Sequence, residues 1–428
     1  MSTLAKRILR FLFQTDHGNI VIIVGVAIYI FILWCRFIGM YHFVCDDTAT
    51  YFFAGEVFTK GDIDYLRTPV YPLICSVFLH LFGNYVFDAL ATLNLVIFLI
   101  STVYLYKTIA LFTQRRAIKC ISTILYAWSI PMSEMCIHIV TESLSVSGIV
   151  YLLYGFSLIY LGKASKSTIY KNSATLLFLV LLRPFNLCFI PVMLLVLFSA
   201  HRKHRLKYVK TSAVAVSTVA VILCGYCFWF RAVYGFFGFS YVSTINALHI
   251  THKTHRDELW KSNIELFETI GNEKCLLWIW LNHDYNKKHV AKVLLNNRAE
   301  FCIGKIKFFG KTCYLDFPHY STNAAFVYLV PIQCLHMGTL FVILLLLILF
   351  EIYLSIRKHR TYVSITSIHL LICVISIFTA IVGSSNYGAQ RLAMPMFPSL
   401  CLLVGLFAEQ TKLRFANSVK PQYNFNKS

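Results

Sequence analysis

The chain has 428 residues, of which 58% are hydrophobic and only 14% charged, and its mean hydropathy is +0.66. This apolar content exceeds what a soluble core of that size needs, so the composition indicates an integral membrane protein. The formal net charge of +20 would suggest a nucleic-acid partner if the basic residues formed one patch, but they lie in short clusters between apolar runs. The sequence therefore predicts an all-α polytopic membrane protein with no nucleic-acid partner.

Apolar runs long enough to cross a bilayer recur along the chain, and a spanning helix needs about 20 residues. We predict about ten such segments, centred near 19–38, 87–112, 117–131, 143–161, 173–190, 185–200, 211–230, 323–350, 362–383 and 394–408. The fifth and sixth share a boundary around Arg183-Pro184. The first is interpreted as a retained anchor, because Cys35-Arg36 follows it rather than a small-residue cleavage site.

The basic clusters predict the orientation of these segments. More than half of the 39 lysines and arginines fall in every second connection, and the acids that accompany them are only Asp16, Glu351 and Glu409. By the positive-inside rule this side is cytoplasmic, which places both termini in the cytoplasm. We expect the remaining acids at the outer face, in the periplasm of a bacterial inner membrane or in the lumen of a eukaryotic compartment.

The chain shows no repeat, low-complexity stretch or Gly/Ser linker, so residues 1–428 are predicted to form a single transmembrane domain. Two long insertions face the outer side, at 39–86 and 231–320. We expect short interfacial helices in both insertions, which are the first and fourth outer loops. The segment YPLICSVFLHLFG of the first insertion has only about 13 residues and is too short to span a bilayer.

Two adjacent carboxylates, Asp46 and Asp47, lie just beyond the first apolar run. Either can cap a short helix that runs from about Thr48 to Lys60 and ends at Gly61. Peptide dipoles at the start of such a helix keep a carboxylate ionised. A solvated helix cap is the alternative reading of this acidic pair.

Five motifs follow one another along the chain: DDTATY at 46–51, GDIDYLRTPVYPL at 61–73, TESL at 141–144, LLRPFNLCFIP at 181–191 and NYGAQRLAMPMFPSL at 386–400. In this order they resemble the GT-C superfamily of membrane glycosyltransferases. The most similar branch is the bacterial family 39 type, related to protein O-mannosyltransferases and the lipid A aminoarabinose transferase. The resemblance covers nearly the whole chain, although each motif alone is degenerate. It implies a GT-C-like bundle that passes a sugar from a polyprenyl-phosphate donor to an acceptor on the outer face.

The resemblance also implies roles for particular residues. The family's acidic motif maps onto Asp46, as the general base at the acceptor, with Asp47 second; many relatives have Asp-Glu where this chain has Asp-Asp. The chemistry requires the same groups, because a base must take the acceptor's proton and cations must stabilise the leaving phosphate. Arg183, Arg391 and Arg67 are the candidates for the donor phosphate. The chain is without the extra soluble domain of the protein O-mannosyltransferases, which favours a lipid or glycan acceptor.

Two of these arginines, Arg183 and Arg67, have a structural alternative. Arg183 lies in an outer apolar hairpin, where an unpaired buried charge is expensive, so we expect a phosphate or carboxylate partner rather than a snorkelling side chain. Arg67 could equally pair with Asp62 or Asp64.

Four further residues are predicted to bind the acceptor or its sugar: Tyr51, Glu142, Tyr65 and Tyr71. The tyrosines could stack on a sugar, but tyrosine is also common at membrane interfaces without any ligand. Glu142 begins an apolar run, where it is either an interface residue or a second acidic group that orients the acceptor or a metal. Glu134 is a weaker candidate of the same kind.

No cofactor is clearly indicated, although a divalent metal would fit the acidic site. Asp47 is one weak candidate ligand, and His249 and His252 are others, since HxxHxxH at 249–255 could bind zinc if it did not simply form a solvated face. The cysteines at 224 and 227 lie in an apolar run and are interpreted as small hydrophobes. One disulfide could form among Cys275, Cys302 and Cys313, but the spacing selects no pair.

Two other classes of function compete with glycosyl transfer. A transporter or flippase of envelope precursors would show ionisable residues at mid-membrane and internal symmetry, whereas here the acids cluster in the outer loops. A non-catalytic assembly subunit would not need to retain Asp46, Arg183 and Arg391. The sequence therefore favours the glycosyltransferase, whose partners would be the lipid-linked donor, the acceptor and membrane lipids.

Overall fold

The structure is a computed structural model, and it describes residues 15–42, 44, 46–200, 202–235, 237–240, 342, 346, 348–349, 365–383 and 396–418. Within these ranges the regular elements are helices, with no strand. The first six are α1 Asp16–Ile38, α2 Asp46–Thr59, α3 Val70–Phe82, α4 Val86–Ala110, α5 Arg116–Ala127 and α6 Ile130–Ile137. The others are α7 Glu142–Tyr160, α8 Lys166–Leu182, α9 Phe189–Ser199, α10 Arg202–Tyr234, α11 Ile365–Gly383 and α12 Met396–Ser418.

Local sequence sets several of these helix ends. The Thr15 side chain accepts a hydrogen bond from the Gly18 amide at 3.0 Å and so caps α1. A capping box between Ser165 and Thr168 starts α8. Helix α2 begins at Asp46, two residues before the predicted start near Thr48, and the chain turns after it at Gly61, whose φ of 82° favours glycine.

Among the described residues, four helical segments are long and apolar enough to cross a membrane: Asp16–Arg36, Val70–Ala110, Glu142–Tyr160 and Tyr208–Tyr234. Shorter apolar helices cover Pro184–Ser199, Ile365–Ile377 and Met396–Phe407. These findings agree with a membrane protein, and most of the predicted segments that fall in the described ranges are helical. The total of about ten spans stays a prediction, and most of the segment at 323–350 lies outside the described residues.

The predicted segment at 117–131 is not one continuous helix. Helix α5 ends at Ala127, and α6 begins two residues after Trp128 with a proline in its first turn. The chain leaves the helical conformation at Ser129, whose ψ is 125°. Inside a continuous helix Pro131 would lack an N–H donor and clash with the carbonyl four residues before it, so it is accommodated in the first turn of a new helix, and hydrophobicity alone does not reveal this break.

Helix α7 is the centre of the bundle. Most of its side chains are buried, and it packs against α4, α8, α9 and α12. Helices α2 and α3 of the first insertion pack closely on each other, and Gly55 lies at their contact. The interfacial helices expected in the fourth outer loop lie outside the described residues.

The charged side chains separate into two ends of the bundle. At one end Lys119 contacts Asp16 at 2.5 Å, and Arg115 contacts Glu409 at 3.5 Å. Two of the three acids predicted on the basic side are thus paired with basic-side residues. At the other end the Tyr234 hydroxyl donates to the Ile63 carbonyl at 2.6 Å. This separation fits the predicted alternation of connections, and the side of the membrane that each end faces stays a prediction.

Candidate active site

The first half of the candidate site is an ion pair between α2 and the loop that follows it. The Arg67 guanidinium donates to Asp47 Oδ1 at 2.7 Å, to Thr50 Oγ1 at 2.8 Å and to the Tyr51 hydroxyl at 3.3 Å. The guanidinium also lies over the Tyr51 ring, 4.3 Å from its centroid. Arg67 therefore forms its ion pair with Asp47 rather than with either expected alternative, Asp62 or Asp64.

Asp64 fixes Arg67 through the backbone rather than through an ion pair. Its Oδ1 accepts from the amides of Leu66 at 2.8 Å and Arg67 at 2.6 Å, which is the hydrogen-bond pattern of an Asx turn. Thr68 then donates to the carbonyl of Leu182 at 3.2 Å, at the end of α8. The loop is thus fastened both to itself and to the neighbouring helix.

The second half of the site is a buried ion pair between α7 and the end of α8. Arg183 Nη1 lies 3.2 Å from Glu142 Oε1, and the side chains are 17% and 4% exposed respectively. Arg183 is extended because Pro184 follows it, and a short 3₁₀ helix over Pro184–Cys188 comes next. Arg183 therefore has a carboxylate partner, one of the two partners expected from sequence.

The two ion pairs converge on Tyr51. Thr48 of α2 donates to the carbonyl of Ile139 at 3.1 Å, which holds α2 against the segment that leads into Glu142. Burial raises the pKa of Tyr51, and the charges of both pairs act on it as well, the carboxylates raising it and the arginines lowering it. Tyr51 thus contacts Arg67 of the first pair directly and lies within electrostatic range of the second pair.

The predicted tyrosines occupy different environments. Tyr71 is fully buried and meets Tyr51 edge-on, with the ring centroids 4.8 Å apart. Both rings are buried in this structure, and their role in stacking on a sugar stays a prediction. Tyr65 is half-buried and lines an open pocket beside the site.

Several predicted site residues lie outside the described part of the chain. These are Arg391, His249, His252 and the three loop cysteines Cys275, Cys302 and Cys313. The backbone of Asp46 is described as the first residue of α2, but its side chain is not. Their roles therefore stay predictions.

Sequence reasoning overlooked the hydroxyl groups that hold the site together. The hydroxyl groups of Thr48, Thr50 and Thr68 all form hydrogen bonds that hold segments of the candidate site. Glu134 and His138 form a second buried contact on α6, at 3.7 Å. The spacing of four between Glu134 and His138 could have indicated that pair, whereas no local signal predicts the partners of the threonines.

Within the described ranges no group of three or more His, Cys, Asp or Glu side chains is arranged to hold a metal ion. Asp47, one of the weak metal candidates, has Arg67 as its neighbour, and a cation at that distance disfavours a second positive charge.

No family model matches the sequence, and no curated protein matches it either. The fold is similar to that of the Archaeoglobus fulgidus oligosaccharyltransferase in its apo form, with a TM-score of 0.55 and 14% identity. That match covers 96% of this chain and 52% of the other, so the chain spans about half the length of that protein.

Two further structures of the archaeal enzyme match with TM-scores of 0.48 and 0.45, one with an inhibitory peptide and a dolichol-phosphate and one with a tethered acceptor peptide. Their identities are 12% and 15%, and the matches cover 94% and 84% of this chain but 52% and 43% of those chains. The likeness to the apo form shows a fold similar to that of an oligosaccharyltransferase, whereas membership of the GT-C superfamily and of its family 39 type stays a prediction.

Proposed function

We propose that the protein is an integral-membrane glycosyltransferase. It transfers a sugar from a polyprenyl-phosphate donor to a lipid or glycan acceptor at the outer face of the membrane. The observation that carries this proposal is the convergence of two arginine–carboxylate pairs on Tyr51, at one end of a bundle whose fold is similar to that of an oligosaccharyltransferase.

The reaction needs a base and a cationic site for the leaving group, and the candidate site offers both. Asp46 takes the proton from the acceptor hydroxyl, whose oxygen forms a bond to C1 of the sugar. The bond between C1 and the phosphate oxygen breaks, and its electron pair leaves with the polyprenyl phosphate. Attack from the face opposite the leaving group inverts C1. Arg183 and Arg67 stabilise the charge that develops on the phosphate.

Asp47 positions Arg67 in this scheme. Its carboxylate holds the guanidinium at 2.7 Å, while Thr50 and Tyr51 take the other nitrogens. Arg67 is therefore oriented before any donor binds, and a phosphate must compete with Asp47 or share the fork with it. Arg391 is proposed as a third donor-phosphate residue, on the motif alone.

The test is transfer of labelled sugar by purified protein in proteoliposomes, using a panel of polyprenyl-phosphate monosaccharides. Candidate acceptors come from comparing envelope lipids and glycans with and without the gene by mass spectrometry. Asp46→Asn should lower the transfer rate by about 10²–10⁴, because a positioned base is removed. Asp47→Asn should reduce the rate to a smaller extent, and sensitivity to a chelator would reveal a metal.

Glu56→Gln is the matched control, because Glu56 lies on the same helix and forms an exposed pair with Lys60 at 2.7 Å. It should transfer sugar at the wild-type rate. Transfer by Asp46→Asn at the wild-type rate would exclude Asp46 as the base and leave Glu142 as the next candidate.

A further inference from the structure

An open pocket of about 240 Å³ lies beside the candidate active site, between α2 and the loop that follows it. Its lining residues are Ala49, Thr50, Phe53, Asp64, Tyr65 and Leu66. Thr50 and Asp64 are also the residues that hold Arg67, through its Nε and its backbone amide. The pocket therefore opens next to the arginine proposed to bind phosphate.

Asp64 is the polar group of this pocket whose hydrogen bonding is incomplete. The residue is only 3% exposed, and its Oδ1 already accepts two backbone amides. In the described part of the chain no group donates to its Oδ2. A carboxylate oxygen that lacks a protein donor and borders a pocket accepts from water or from a ligand. Burial also raises the pKa of Asp64, as expected for a carboxylate that lacks a full set of donors.

The remaining walls of the pocket favour a ligand that is partly apolar. Phe53 is 61% exposed, on the side of α2 away from the core, and Tyr65 lies opposite it on the loop. Aromatic faces pack on the C–H face of a sugar ring, and a carboxylate accepts from its hydroxyl groups. The volume falls below the roughly 300–1,000 Å³ of pockets for drug-sized ligands, which fits a single ring.

We propose that this pocket binds one sugar ring, with Asp64 accepting from its hydroxyl groups and Phe53 and Tyr65 packing on its apolar face. The inference rests on the proposed function and deepens it, since it assigns the sugar-binding part of the same site. The donor sugar and a glycan acceptor offer the same hydroxyl chemistry, and the kinetic arm of the experiment below separates them.

The binding arm uses the full chain in lipid nanodiscs and saturation-transfer NMR with four methyl glycosides, those of glucose, galactose, mannose and N-acetylglucosamine. Choline is included as a cationic probe. At least one glycoside should bind. Asp64→Asn should weaken it about tenfold or more, because the amide keeps an acceptor for the backbone but places a donor where Oδ2 was. Phe53→Leu should weaken binding as well, and Glu56→Gln should leave it unchanged.

The proposal is overturned if no glycoside binds the wild-type protein, if choline alone binds, or if Asp64→Asn binds every glycoside as well as the wild type does.

The kinetic arm measures transfer by Asp64→Asn. A raised KM for the donor assigns the pocket to the donor sugar, and a raised KM for the acceptor assigns it to the acceptor. Glycoside binding is measured independently of transfer. If the wild-type protein transfers no sugar but binds a glycoside that Asp64→Asn no longer binds, the proposed function is refuted and the sugar pocket stands.

Discussion

Glu142 and Arg183 form an ion pair that is almost removed from solvent, at the start of one helix and the end of another. Such a pair contributes little net stability, because the loss of hydration offsets the attraction. Its loss is costly, however, when one partner remains buried alone. This asymmetry allows a structural role of the pair to be separated from a catalytic one.

Arg183→Ala should destabilise the protein by about 3–5 kcal/mol, since it leaves the Glu142 carboxylate buried without its cation. The double change Arg183→Met with Glu142→Leu should restore most of that stability, because packed apolar side chains replace both charges. Thermal denaturation in detergent measures both effects.

The same double variant should transfer sugar far more slowly than the wild type, because the Arg183 cation no longer stabilises the leaving phosphate. Transfer by this variant at the wild-type rate would show that the pair is only structural. Arg183→Lys should retain folding but lose much of its activity, since a point charge replaces a bidentate fork.

The raised pKa of Asp64 predicts how stability depends on pH. Because burial raises this pKa above the ordinary 3.8, the folded protein binds a proton more tightly than the unfolded chain does. The contribution of Asp64 to the free energy of unfolding therefore falls as pH rises from 3.8 through the folded pKa, and stays constant above it. Asp64→Asn should be more stable than the wild type at pH 7, and the difference should shrink towards pH 4. A variant less stable than the wild type at pH 7 would contradict this reading.

At the scale of helices, α2 and α3 fix the position of Tyr51. Both belong to the first insertion, and their close packing depends on the missing side chain of Gly55. A Cβ atom at that position would lie 2.6 Å from the carbonyl oxygen of Pro72 and would also meet the Ser76 hydroxyl. The contact with Pro72 involves backbone, which cannot turn aside as a flexible side chain can.

Gly55→Ala should therefore destabilise the protein by about 1–3 kcal/mol, because the two helices must separate. The sugar-transfer rate should fall as well, since Tyr51 and Thr50 move with α2. The matched control is Gly25→Ala in α1, where an added Cβ meets no atom within 4 Å. Equal thermal stability of the two variants would show that α2 and α3 tolerate separation.

At the scale of the whole molecule, the charges are sorted between two ends of the bundle. The pairs Asp16–Lys119 and Arg115–Glu409 lie at one end, and Asp47–Arg67 and Glu142–Arg183 at the other. Sorting of this kind is expected when long apolar helices connect two aqueous surfaces, since a charge left within the bilayer is expensive.

Labelling with a membrane-impermeant thiol reagent tests the orientation. A cysteine introduced at Lys60, beside the candidate site, should be labelled from outside the cell. A cysteine at Lys210, near the start of α10 and on the predicted cytoplasmic side, should be labelled only after the membrane is opened. Labelling of the second position in intact cells, above the background of the native cysteines, would reverse the proposed orientation.

The sequence predicted well those features that depend on local chemistry. Apolar runs specify helices because backbone groups in a membrane must bond internally, so α1, α4 and α7 agree closely with their predicted segments. Gly61 and Pro184 mark the ends of α2 and α8 because their backbone angles are restricted in a way that any chain context preserves. The break between α5 and α6 was missed because hydrophobicity carries no signal for it.

The sequence by itself determined the membrane class, the helical architecture and most of the charged residues around which a site could form. Only the tertiary structure decided the partners: Arg67 pairs with Asp47 and lies over Tyr51, and Arg183 pairs with Glu142. The same holds for the pocket at Asp64 and for the burial of Tyr71. The physical reason is the separation along the chain between the residues that interact. Helix formation and chain breaks depend on neighbours a few residues apart, whereas Glu142 and Arg183 meet only when α7 and α8 pack side by side.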